Sequence, residues 1–162
     1  VYFDVIRKKT AALFAACTEA AAYSVGVSEE EVKLARLLGE YIGICFQIKD
    51  DIFDYFDSKE IGKPTGNDML EGKLTLPVLY ALNRANDNQA AEIALKVKEG
   101  TATLAEIARL IAFTKENGGI EYAVRTMNAY KQKAFGLLAS LPDSAICVAL
   151  RSYLDYVVDR EK

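Results

Sequence analysis

Asp50, Asp51 and Asp54 fall in the run Gln47-Ile48-Lys49-Asp50-Asp51-Ile52-Phe53-Asp54, in a chain that has no histidine. Carboxylates this close repel one another, and burial among the flanking apolar residues raises that cost. Near the C-terminal end of a helix they also oppose the helix dipole. A shared cation removes both objections. Oxygen donors without imidazole or paired thiolates select a hard ion, Mg2+ or one like it. Such an ion keeps some waters and is held by carboxylates together with the phosphate oxygens of a substrate. The chemistry suggested is therefore the handling of a phosphate or diphosphate, which calls for basic side chains nearby. Lys9, Lys63 and Lys73 are the candidates. The plain rival is a solvated charge cluster, and a lone lysine is more often surface than site. Against that rival, Ile48, Ile52 and Phe53 confine the aspartates to a narrow face, and Gly39 and Gly43 admit a close neighbour or ligand.

The elements that would position these groups read as helices. Phe3, Ile6, Thr10, Leu13, Phe14 and Cys17 recur at three- and four-residue steps, predicting a helix over 2–24 that stops at Gly26. Ser28 with Glu31 forms a capping-box pattern, and helical periodicity then continues to about Phe56. Leu34, Leu38, Tyr41, Cys45, Ile48 and Ile52 make one stripe of it, and Gly39, Gly43, Gln47, Asp50 and Asp54 another. Four residues make about one turn, so Asp50 and Asp54 are expected on one side, roughly 6 Å apart along the axis. Apolar residues around most of its circumference predict a central position for this longest helix. Residues 57–71 are expected to be loop or short turns, with Gly62, Pro64 and Gly66. Further helices are expected over 74–84, with Pro77 in the first turn, and over 88–98, 104–117 and 119–139; a last one begins at Pro142-Asp143 and ends near Asp159. No segment alternates in steps of two. The fold class is all-α.

Composition narrows the function classes. The 162 residues suit one domain with a real core, and half of them are hydrophobic. A net charge of -3 gives no general attraction to nucleic acid or anionic lipid. Cys17, Cys45 and Cys147 are scattered and odd in number, which reads as three small buried side chains in a reducing cytosol. No apolar run is long enough for a transmembrane segment, and no signal peptide is visible. The expected location is cytoplasmic. The chain opens without Met and already in helical rhythm, as a fragment or one piece of a processed protein would.

Phe46-Gln47-Ile48-Lys49-Asp50-Asp51-Ile52-Phe53-Asp54 resembles the second aspartate-rich motif of the trans-isoprenyl (polyprenyl) diphosphate synthases. Gly62-Lys63, Asp68 and Glu71-Gly72-Lys73-Leu74-Thr75-Leu76-Pro77 follow in family order and at family distances. Upstream, Lys9-Thr10-Ala11-Ala12-Leu13-Phe14 resembles the family's Lys-Thr helix, and Asp159-Arg160 its basic tail. The resemblance implies the C-terminal portion of an isoprenoid-synthase helical bundle, residues 1–162 being that part of a polyprenyl synthetase domain. It implies an allylic diphosphate held by Mg2+ between two aspartate-rich motifs. Asp50 matches the direct metal ligand, while Asp51 and Asp54 match partners acting largely through metal-bound water. Lys9 and Lys63 match diphosphate contacts, and Thr10 and Gln47 match polar residues lining the reacting region. Asp68 and Lys73 match the segment beside the cavity mouth. Leu74 stands where the family often has proline, a structural difference.

The implied activity is chain elongation, in which isopentenyl diphosphate condenses with an allylic prenyl diphosphate and diphosphate is released. The family's first aspartate-rich motif is not among these residues. The N-terminal half of the same enzyme is therefore the expected partner, the complete enzyme is expected to be a homodimer, and the isolated chain is expected to be inactive. The alternatives are a terpene cyclase or head-to-head condensing enzyme of the same fold, or a non-catalytic subunit of a heteromeric synthase. Intact aspartates count against the non-catalytic subunit.

Overall fold

The computed structural model describes residues 1–56, 65–141 and 144–161, and in them every regular element is helical. Their Cα positions group into two compact units, Val1–Lys49 with Thr126–Glu161, and Asp50–Arg125.

The first unit begins with α1 (Tyr2–Ile6), which runs through a π-helical turn (Arg7–Ala11) into α2 (Ala12–Ser24). The periodicity predicts one uninterrupted α-helix here, and the π turn changes its consequences. An i→i+5 turn inserts one residue into the helical register. The buried face therefore steps from Ile6 to Ala11 and Ala15, leaving Leu13 68% exposed and Cys17 at the surface. Cys17 departs from the expectation that all three cysteines are buried, and this register step is the reason. Cys45 and Cys147 are buried as expected.

The longest helix, α3 (Glu29–Phe53), starts at the expected capping box. Glu31 N–H donates to Ser28 Oγ at 3.3 Å, and the Ser28 amide donates to the Glu31 carboxylate at 2.9 Å. Ile42, Ile44, Cys45 and Ile48 are buried around its circumference. On α3, Gly39 and Gly43 serve the close approach of α2: a Cβ at Gly39 would lie 2.5 Å from the Phe14 carbonyl oxygen, and one at Gly43 would lie 2.6 Å from Ala11 Cα. The other helices of this unit, the later part of α8 (Gly119–Ala139) and α9 (Ala145–Asp159), close around α3. Tyr130 packs its ring against Tyr41 and Phe3, and Lys131 of α8 pairs with Asp155 of α9 at 2.7 Å. Ser144 caps α9 by accepting from the Cys147 amide. The expected Pro142-Asp143 start lies outside the described residues.

The second unit contains the end of α3, the short α4 (Asn67–Leu70), α5 (Leu76–Ala85), α6 (Asn88–Glu99), α7 (Leu104–Glu116) and the start of α8. α5 begins two residues later than the periodicity predicts because Thr75 is extended, which leaves Pro77 in the first turn. Thr103 and Glu106 form the expected capping box on α7. Tyr55, Met69, Val78, Val97 and Leu110 lie in the core, where α7 packs on α5 and α6. Tyr80 of α5 stacks on Tyr122 of α8, with ring centroids 4.0 Å apart.

Candidate active site

α3 does not reach Phe56. It ends at Phe53, and Asp54 enters a turn in which the Tyr55 amide donates to the Ile52 carbonyl at 3.1 Å. Asp50 and Asp51 thus close the helix, while Asp54 lies just past it. The expectation that Asp54 continues the Asp50 face within α3 is corrected accordingly. The physical cause is a set of tertiary hydrogen bonds. Asp54 Oδ1 accepts from the Asn67 amide at 2.9 Å, Oδ2 accepts from the Asp68 amide at 3.1 Å, and its backbone carbonyl accepts from the Gly66 amide at 2.9 Å. One aspartate therefore ties the end of α3 to the start of α4. The carboxylate also complements the positive N-terminal end of that short helix.

Asp51 is only 3% exposed and Asp50 is partly buried. Tyr55 forms part of the wall beside them and is 2% exposed. Burial pushes its phenol above the ordinary range. The hydroxyl makes no well-formed hydrogen bond among the described residues, so the nearby Thr75 side chain offsets only part of that rise. The wall stays neutral, and two carboxylates at the negative end of a helix beside a low-polarity surface are a setting that favours a cation. Among the described residues no three acidic or thiol side chains gather into a closed cage. That fits Mg2+, which takes one or two carboxylates and completes its octahedron with water and phosphate oxygens.

The basic candidates have different surroundings. Lys73 is exposed and pairs with Glu71, with Asp68 at 3.9 Å. The hydrogen bond to Glu71, opposed by slight desolvation and helped by the charges of Glu71, Asp68 and Asp51, raises its pKa. It therefore stays cationic on the turn that Asp54 anchors. Lys63 lies outside the described residues. Lys9 is exposed in the π turn, and its neighbour Thr10 donates from Oγ1 to Gln47 Oε1 at 2.6 Å. That bond joins the π turn to α3 one helical turn before Asp50.

The end of α9 reaches the same stretch of α3. The Arg160 guanidinium lies 4.0 Å from the centre of the Phe46 ring, and its Nη2 donates to the Phe46 carbonyl at 3.3 Å. Phe46 in turn packs on Phe14, centroids 5.4 Å apart. Lys49 has its pKa lowered by burial, against the opposing pull of Asp159. Burial also pushes the Cys45 thiol up to about 12, and its Sγ donates to the Met127 carbonyl, so this cysteine is no nucleophile. Sequence reasoning missed Tyr55 and the Glu71 partner of Lys73. Only the spacing of Glu71 and Lys73, two residues apart, gave any signal.

The helix order and the placement of an Asp-Asp pair at the end of the longest helix define an isoprenoid-synthase type of all-α protein. Crystal structures agree. A geranylgeranyl pyrophosphate synthase from Bacteroides thetaiotaomicron matches with TM-score 0.95 and 79% identity, over 98% of this chain and 52% of that one. A polyprenyl synthase from Caulobacter crescentus, complexed with calcium and isoprenyl diphosphate, matches with TM-score 0.87 and 34% identity, over 98% of this chain and 49% of that one.

The chain belongs to the polyprenyl synthetase family, whose profile matches residues 1–114. Component 2 of heptaprenyl diphosphate synthase from Geobacillus stearothermophilus is 37% identical over 99% of this chain and 49% of its own length. A short chain isoprenyl diphosphate synthase from Methanothermobacter thermautotrophicus is 37% identical with the same coverage. The chain spans about half the length of the curated relatives it matches. Among the described residues no helix is long and apolar enough to cross a membrane.

Proposed function

We propose that these residues form the C-terminal part of a polyprenyl synthetase domain that condenses isopentenyl diphosphate with an allylic prenyl diphosphate, completed by the N-terminal half of the same enzyme. The observation that carries this reading is the Asp50-Asp51 pair, partly and almost fully buried, at the dipole-negative end of α3. The family membership supplies the reaction class. Mg2+, when bound, would draw charge from the departing diphosphate and so ease cleavage of the allylic carbon–oxygen bond.

This chain's own groups have distinct roles in the proposal. Asp50 and Asp51 would hold the cation, with Asp54 placing the turn that carries Asp68 and Lys73. Lys9, Lys63 and Lys73 would meet diphosphate charge. Thr10 and Gln47, locked together by their hydrogen bond, would present oxygen dipoles to the allylic cation as it develops. As the carbon–oxygen bond breaks, its electron pair leaves with diphosphate. The double bond of isopentenyl diphosphate forms the new carbon–carbon bond, and loss of a proton to the released diphosphate restores an alkene. No histidine base is required. The 79% identity to the Bacteroides protein makes geranylgeranyl diphosphate the first product to seek. We place the enzyme in the cytoplasm as a homodimer of complete chains.

The test is turnover by the complete synthase with Mg2+, isopentenyl diphosphate and farnesyl diphosphate. Asp50→Asn should lower kcat by at least about a hundredfold, as loss of charge stabilisation in an active site does, with helicity retained. Unchanged turnover would remove Asp50 from the mechanism, and an exclusively cyclic product would replace chain elongation with cyclisation.

A further inference from the structure

Helix α2 has the composition of a helix buried on every side, yet one side of it is bare. Within Ala12–Ser24 the only charged residue is Glu19, and Arg36 holds it at 2.6 Å. The side toward α3 is filled: Ala15 is buried, and Phe14 and Thr18 occupy the notches left by Gly39 and Gly43. On the other side Ala12, Ala16, Ala20, Leu13 and Cys17 are all exposed. At 100° per residue they span an arc of about 140°, with no charged side chain of α2 inside it. Tyr23 extends the arc and is 77% exposed.

A helix apolar all round belongs inside a larger structure, and a continuous apolar surface of this kind marks a contact. The relatives indicate where the contact comes from. They match this chain along nearly all of it but over only about half of their own length. The alanine row further specifies a helix as partner, because small residues let two axes approach to the short end of the usual range of about 8–10 Å.

We infer that the Ala12–Ala16–Ala20 face of α2 seats a helix from the half of the synthase that these residues do not contain. The partner helix lays leucine-, isoleucine- or phenylalanine-sized side chains over the alanines. This rests on the reading of the chain as part of a longer polyprenyl synthetase. It also gives the π turn an architectural consequence: by stepping the register, it turns Leu13 and Cys17 away from α3 and into the contact.

Cys17 is a native reporter near the edge of this arc, since Cys45 and Cys147 are buried. In the complete synthase, maleimide labelling mapped by mass spectrometry is compared at Cys17 and at a control cysteine introduced as Lys98→Cys, an exposed position on α6. Seated under a helix, Cys17 should react on the order of 100-fold more slowly than the control, because it must await local opening. Labelling at the control's rate overturns the inference. Protection that vanishes on dilution assigns the face to a second copy of the chain and overturns it too. Prenyl transfer is assayed on the same preparation. Transfer with a freely labelled Cys17 removes the surface assignment alone; a protected Cys17 without transfer removes the functional reading alone.

Discussion

At the scale of single residues, the three aspartates are not equivalent. Asp50 and Asp51 end a helix, whereas Asp54 spends both carboxylate oxygens on the amides of Asn67 and Asp68. Asp54→Ala should therefore cost stability, about 1–3 kcal/mol for two orphaned amides, and should open the 66–73 turn to protease. Asp50→Ala should leave both unchanged while abolishing turnover; limited proteolysis beside a urea melt distinguishes the two. Thr10 makes a similar point. Its hydroxyl bond to Gln47 fixes the amide oxygen's direction. Thr10→Val should lower kcat while leaving KM for isopentenyl diphosphate near its original value, and Thr10→Ser should restore the rate. An unaltered rate in the valine variant would leave that hydrogen bond a structural role only.

At the scale of elements, close approach and capping decide more than propensity does. A methyl group at Gly39 would run into the Phe14 carbonyl, so Gly39→Ala should push α2 from α3 and destabilise by about 1–3 kcal/mol, readable in thermal melts. Gly136 has nothing within 4 Å of its would-be Cβ, and its alanine variant should not destabilise. The α7 cap brings a pH dependence. Its Glu106 is lowered to about 2 from an ordinary 4.5 by the hydrogen bond from Lys96 first, then by those from Thr103. A carboxylate with a depressed folded-state pKa binds fewer protons folded than unfolded, so its stabilisation is full above about pH 4.5 and fades as pH falls toward 2. Melts of the native protein and of Glu106→Gln should differ at pH 7 and converge near pH 2. These caps were legible because Ser28-Glu31 and Thr103-Glu106 announce themselves by residue type and spacing. The π turn was not. No residue type in Arg7–Ala11 marks an inserted residue, and its effect appears only when Ala11 rather than Thr10 meets Gly43.

At the scale of the whole molecule, the aspartate motif and the all-α class were readable from residue order alone. The exit of Asp54 from α3 was not, because it depends on amides more than ten residues away finding that carboxylate. Nor could periodicity separate a face that meets a neighbour within the chain from one awaiting a neighbour beyond it: Leu13 and Ile6 look alike in sequence and differ entirely in exposure. The same distinction bears on activity. A cation held by Asp50 and Asp51 grips a diphosphate from one side, and an ionising allylic substrate needs its departing charge met all round and its cation kept from water. The 162 residues on their own should therefore retain helical circular dichroism yet give no prenyl transfer at any Mg2+ concentration. Supplying the complementary half, as a co-expressed chain or by fusion, should restore transfer together with protection of Cys17. Restored turnover with Asp50→Asn in place, or turnover by the isolated chain, would show that the chemistry is organised elsewhere.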